Sequence, residues 1–147
     1  MSTWPTIALG RVALNPSAVN LDREVERFRW KLDAGAEFVI TQPVFDAGPL
    51  LQFLERAANL RKVPIIAGIW PLLSLRMAEF MKNEVPGVFV PDPVIDRMAA
   101  CDTKESALEE GISVSRELLQ SLRGAIAGVQ LATPLGKIQY ALSVLGL

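Results

Sequence analysis

The sequence predicts an α/β fold of parallel strands, and three observations carry the prediction. Short β-branched apolar runs alternate with amphipathic helical segments along the whole chain. The runs are almost continuously apolar, as parallel strands covered on both faces are. Four of them end on a polar or amphipathic side chain followed by proline: Asn15-Pro16, Thr41-Gln42-Pro43, Trp70-Pro71 and Thr133-Pro134.

Residues 6–14 (TIALGRVAL) read as a strand closed by Asn15-Pro16. Residues 22–34 (DREVERFRWKLDA) read as a helix. Val25, Phe28 and Leu32 recur at i, i+3, i+7 with charges on the other faces, and Gly35 supplies the stop. Residues 37–42 (EFVITQ) are the second strand. A helix follows over 48–60, with Pro49 in the first turn, where its missing N–H costs nothing. Residues 63–70 (VPIIAGIW) are the third strand. Ser74 is placed to cap a helix through about Asn83, which Pro86-Gly87 breaks. Residues 91–100 (PDPVIDRMAA) predict a short helix with Asp92 as N-cap and Pro93 at its first position. Thr103 caps a long helix over 104–122, ended by Gly124. The last strand spans 126–133 and the final helix 136–146. No linker or low-complexity stretch interrupts this alternation, so residues 1–147 read as one domain.

Half of the 147 residues are hydrophobic, 21% are charged and the net charge is −1. That is globular composition, with nothing directed at nucleic acid or an anionic membrane surface. The single cysteine, Cys101, permits no intrachain disulfide and fits a reducing compartment. No apolar run reaches the roughly 18 residues that span a bilayer. The start, MSTWPTIALGR, lacks the basic-then-apolar pattern of a signal peptide. The expected location is the cytoplasm. Histidine is absent, which removes the commonest general base and metal ligand. Chemistry must rest on carboxylates, Lys, Tyr, a bound cofactor or another chain.

The alternation fits either a doubly wound sheet or a (β/α)-barrel, and in both the site lies at the C-terminal ends of the strands. Proline after each strand halts the ladder and holds the preceding residue extended. Such prolines are also ordinary punctuation after strands. What singles them out is that four strand ends repeat the pattern. No Gly-rich phosphate loop is present: GRVALNPSA and AGIWPLLS match neither the dinucleotide nor the P-loop fingerprint.

The ordered motifs ALNP, KLDAGA, ITQPVFD, VPIIAGIWPLLS and GVQLATP resemble the methylenetetrahydrofolate reductase family across nearly the whole chain. TQPVFD and EFMKNEVPG (79–87) resemble most the reductase half of two-domain proteins that join a homocysteine S-methyltransferase to the reductase. The resemblance implies a (β/α)8 barrel of the TIM type, of which this chain would hold the second half only, about four βα units. It implies FAD as bound cofactor, NAD(P)H as hydride source and a folate substrate. The glutamate that protonates the substrate belongs to the first half and has no counterpart here.

On this resemblance Gln42 would hydrogen-bond the folate pterin, a task suited to an amide that donates and accepts at once. Lys31 would contact the FAD diphosphate, with Arg27, Glu24 and Asn15 along the same groove and Trp30 where the family is typically basic. Trp70 and Leu75 would lie against the folate. Several have a plainer alternative: a strand cap for Gln42, a solvated helix lysine for Lys31, i, i+3 and i+4 charge pairs on an exposed face for Arg27 and Glu24, and core packing for Trp70 and for Leu72, the other nearby apolar candidate. Asp33, Asp46 and Asp92 read as turn and cap residues, Cys101 as an inert thiol, and Tyr140 as an outer-helix residue. A half barrel leaves two open strand edges. It implies a homo-oligomer, a separate N-terminal half-barrel partner, or a non-catalytic scaffold.

Overall fold

A computed structural model describes residues 10–147. Strand β1 (Arg11–Leu14) is followed by α1 (Leu21–Asp33), β2 (Phe38–Pro43), α2 (Ala47–Arg56) and β3 (Ile65–Ile69). Three helices then intervene, α3 (Leu75–Glu84), α4 (Asp92–Ala99) and α5 (Lys104–Leu122), before β4 (Gly128–Leu131) and α6 (Ile138–Leu145). The first part of the expected strand 6–14 lies outside the described residues.

The four strands form one parallel sheet in the order β1-β2-β3-β4. A doubly wound sheet reverses its strand order to place helices on both faces. An unreversed order with right-handed crossovers keeps all helices on one face, the winding of a (β/α)-barrel. The core under the sheet follows from strand alternation. Leu14, Val39, Ile65, Ala67 and Ile69 meet Phe28, Leu32, Leu50 and Phe53 from α1 and α2, and Leu118 and Leu122 from α5. Among the described residues, the register row Ala13, Ile40, Ile66 and Gly128 lies outside that buried core. Ala13 is exposed, and Ile40 and Ile66 are half-buried. Among the described residues, β1 and β4 each have one unpaired edge.

A second core lies among α3, α4, α5 and the connecting loops, with Leu72, Met81, Val90, Val94 and Met98 buried in it. Gly111 permits this packing: a methyl group there would overlap the carbonyl oxygen of Leu72.

Most helix ends match their sequence signals. Asp46 Oδ1 accepts from the Gly48 N–H, Ser74 Oγ accepts from the Met77 N–H, and Thr103 forms a reciprocal capping box with Ser106. The chain turns out of α1 through Gly35 at φ +98°. Four expectations are corrected. Asp92 is the first residue of α4 rather than its cap. The N-cap is Pro91, which makes no side-chain bond, and Pro93 sits one place further in. Helix α2 ends at Arg56 rather than 60, because the Ala58 and Leu60 N–H groups turn back to Glu55 and Ala57 in tight three-residue turns. Strand β4 is shorter than 126–133. The final helix starts later than 136, after a 3-10 turn at Pro134–Gly136 in which Leu135 adopts φ +59°.

Candidate functional site

The C-terminal ends of β1 and β2 meet at one place, and a loop from the helical excursion crosses it. A methyl group on Gly87 would stand 2.7 Å from Asn15 Nδ2 and 3.6 Å from Gln42 Oε1. The two amide side chains, which begin far apart in sequence, therefore converge on the same turn. Gly87 has φ +78°, a conformation open to glycine, and its bare Cα is what lets the turn approach.

Asn15 is held on two sides. Its N–H donates to Glu24 Oε1 at 3.0 Å, and its Oδ1 accepts from the Ser17 N–H at 3.1 Å. Glu24 is 5% exposed, with Arg27 3.8 Å from its other oxygen, so its carboxylate serves the β1 end from beneath. Arg27 is exposed on the same side of α1. Lys31 Nζ donates to the carbonyl of Ala13 on β1. Trp30, also on α1, is 61% exposed. Glu24, Arg27, Lys31 and Asn15 thus lie where α1 borders β1. Two cations, an amide and a bare indole make a donor set that fits an anionic, aromatic ligand such as a dinucleotide.

Gln42 is half-buried at the end of β2, and Thr41 before it is buried with its hydroxyl engaged in the sheet. Trp70 follows β3 and is 38% exposed. Leu72 is buried in the helical core and Leu75 packs against that core from α3, so the structure brings Trp70, but not Leu72, to an accessible position. Asn15, Gln42 and Trp70 carry no titratable group, and Asn15 and Gln42 offer amide donors and acceptors at the strand ends. Asp46, which follows β2, is occupied as a helix cap. Among the described residues, no group of His, Cys, Asp and Glu could hold a metal ion. No helix among them is long and apolar enough to cross a membrane.

On α1, the hydrogen bond from Arg29 to Glu26 raises that guanidinium above its ordinary value; the other perturbed groups lie elsewhere. Arg97 on α4 hydrogen-bonds Glu117 in bidentate fashion and also Glu110. The pairing raises the guanidinium further above its ordinary value and holds the Glu117 carboxyl below the usual carboxylate range. Cys101 is half-buried, with Sγ donating to the Arg97 carbonyl at 3.4 Å. Tyr140 lies on α6, with Lys137 Nζ 5.8 Å from its ring centre.

Sequence reasoning missed the place of Gly87. Pro86-Gly87 is legible as a helix break, but no local signal says that the break lands on Asn15 and Gln42. It also missed the burial of Glu24, which falls in line with charged neighbours.

Comparison with known proteins shows the family and the fold. Methylenetetrahydrofolate reductase 2 of Schizosaccharomyces pombe is 25% identical over 136 residues, covering 84% of this chain and 21% of that protein. Methylenetetrahydrofolate reductase (NADH) 1 of Zea mays is 28% identical over 99 residues, covering 63% of this chain and 16% of that protein. The chain spans about a fifth or less of the curated relatives it matches. A solved structure from Clostridium thermocellum, an uncharacterized protein that binds two copies of 5-methyl-5,6,7,8-tetrahydrofolic acid, superposes with a TM-score of 0.69 at 21% identity. The match covers 93% of this chain and 51% of that one, and it shows the shared fold. The family model for methylenetetrahydrofolate reductase matches residues 9–135, and the chain belongs to that family.

Proposed function

We propose that this chain supplies the folate-orienting part, and part of the flavin-holding surface, of a reductase that converts 5,10-methylenetetrahydrofolate to 5-methyltetrahydrofolate. The observation that carries the reading is the Gln42 amide, set at the mouth beside Asn15 in a chain of this family. Gln42 donates to and accepts from the pterin edge, fixing its orientation. Trp70 and Leu75 offer apolar surface to the rest of the folate. Lys31 and Arg27 offset diphosphate charge, Asn15 meets the ribityl or adenosine side, and Trp30 offers its exposed ring. Glu24 holds Asn15 in place. FAD, when bound, supplies the hydride relay between NAD(P)H and the folate.

In this reading the sheet is the second half of an eight-stranded barrel, related most to the reductase part of the homocysteine S-methyltransferase fusions and working in the cytoplasm. Among the described residues, the unpaired edges of β1 and β4 and the row of Ala13, Ile40, Ile66 and Gly128 outside the core support it. The same features favour a second reading, a non-catalytic half-barrel that pairs with another chain or a second copy. The two readings part on activity. Glu24 and Asp46 are engaged with backbone N–H groups, and the proton-donating glutamate of the family is expected on the first half. The chain alone is therefore expected to show little or no turnover.

The deciding experiment is the visible absorption spectrum of the purified chain with and without added FAD, with its mass in solution. Flavin bands that stay with the protein through gel filtration support the flavin-holding surface. A colourless protein that ignores FAD, and whose affinity for 5-methyltetrahydrofolate is unchanged by Gln42→Ala, would sink the reading.

A further inference from the structure

We propose that the Thr41 hydroxyl is the positioning group for Gln42, through a β-bulge that it closes. The inference rests on the folate-orienting role of Gln42 proposed above and adds a residue to it.

The register shows the bulge. Ile40 pairs with Ile66, but the next pair is Pro43 with Gly68, so β2 carries one residue more than β3. In an unbroken parallel ladder the Gly68 N–H would go to a β2 carbonyl. Here it donates to Thr41 Oγ1 at 3.0 Å, and the hydroxyl donates in turn to the Gln42 carbonyl at 2.8 Å. One hydroxyl, with one proton and two lone pairs, thus bridges the two strands at the bulge. The ladder resumes one step on, where the Val44 N–H donates to the Gly68 carbonyl at 2.9 Å.

The extra residue sorts the side chains. Val39 and Val44 are both buried in the core under the sheet, although their odd separation would put them on opposite faces of a regular strand. Thr41 goes with Val39 and is 5% exposed. Gln42 stays with Ile40 on the open face, its Oε1 toward Gly87. The bulge therefore lets β2 present an amide to the mouth and return Val44 to the core two residues later. Bulges beside sites commonly re-aim a side chain in this way. Gly68 completes the device, because a Cβ there would stand 2.9 Å from the Thr41 carbonyl oxygen. Threonine is the fitting residue: its methyl packs like valine while its hydroxyl bridges two backbone groups that a valine would strand in a buried place.

The test uses the whole chain with Thr41→Val, which keeps shape and removes the hydroxyl, and Thr41→Ser, which restores it. Binding of 5-methyltetrahydrofolate is expected to weaken at least tenfold in Thr41→Val and to stay within threefold of wild type in Thr41→Ser. A Thr41→Val chain that folds and binds within threefold of wild type would overturn the proposal. The second readout needs no ligand. The side-chain amide resonance of Gln42, assigned by its loss in Gln42→Ala, should move in Thr41→Val and hold its place in Thr41→Ser. If the wild-type chain does not bind the folate, the orienting reading fails, and Thr41 is judged on this resonance alone: unmoved in Thr41→Val, it refutes the positioning role. Should Thr41→Val fail to fold, exchange of the wild-type Gly68 amide decides. Strong protection supports the hydroxyl bond, and exchange within tenfold of an unstructured amide refutes it.

Discussion

Beneath the sheet, burial follows the strand period: Val39, Ile65, Ala67 and Ile69 recur at every second place, with only the side-chain-less Gly68 buried between them in β3, and meet helices whose apolar residues recur every three or four places. Between β3 and β4 the second core contains no strand. It depends on one glycine under the Leu72 backbone, on loops carrying Val88 and Val90, and on Arg97 bridging α4 to α5. The first core is repetitive and supplies most of the buried apolar surface. The second is idiosyncratic, and it delivers Gly87 to the mouth. Stability is thus concentrated in one region and adjustment of the site in the other.

Four measurements sharpen or break that division. The largest effect is expected in the sheet core. Phe53 is fully buried with its ring edge-on to Phe28 at 5.4 Å, and Phe53→Ala should cost about 4 kcal/mol in urea unfolding. Next comes Gly111→Ala, where overlap with the Leu72 carbonyl should cost about 2–3 kcal/mol by the same assay. If the two regions are separable, its added amide exchange should centre on α3, α4 and α5. Exchange spread evenly through β1 to β3 would show a single cooperative unit. Gly87→Ala forces a left-handed alanine against Asn15 and should cost about 1–2 kcal/mol. It should weaken 5-methyltetrahydrofolate binding about tenfold, and unchanged affinity would detach the loop from the site.

The smallest effect is pH-dependent. The Glu117 carboxyl is held low by Arg97, so its contribution is present above the ordinary carboxylate value and lost as pH falls through the folded one. The pair is partly solvent-exposed, which limits it to under about 1 kcal/mol. Glu117→Gln should lower the melting temperature by about 2 °C at pH 7, and the difference should shrink as pH falls below the ordinary carboxylate value and through the lower folded one.

The contrast also explains what the sequence made legible. Amphipathic spacing in α1, the Thr103 cap of α5 and the strand-end prolines are local signals, and the elements stand where they imply. That Lys31 reaches the Ala13 carbonyl and Glu24 the Asn15 N–H follows only once α1 is packed beside β1. The turn at Gly87 reaches Asn15 by a tertiary contact with no period in the chain. The bulge at Thr41 was equally hidden: ITQPVF reads as an apolar strand with a polar end, and only the pairing partner reveals the extra residue. Leu72 and Leu75 look alike beside Trp70 in WPLLSL, yet Leu72 is sealed in a core that no alternation announces.

The excursion between β3 and β4 has a consequence in time. The pairing of β3 with β4 joins Ile66 to Gly128, more than twice the chain separation that joins Arg11 to Phe38 or Val39 to Ile65. Closing longer loops costs more entropy before any contact rewards it. Strands β1 to β3 can zip together as neighbours, whereas β4 must wait for three helices to gather. The last strand to arrive is one of the two that carry a free edge, so a late-forming segment holds open the border where another strand could join.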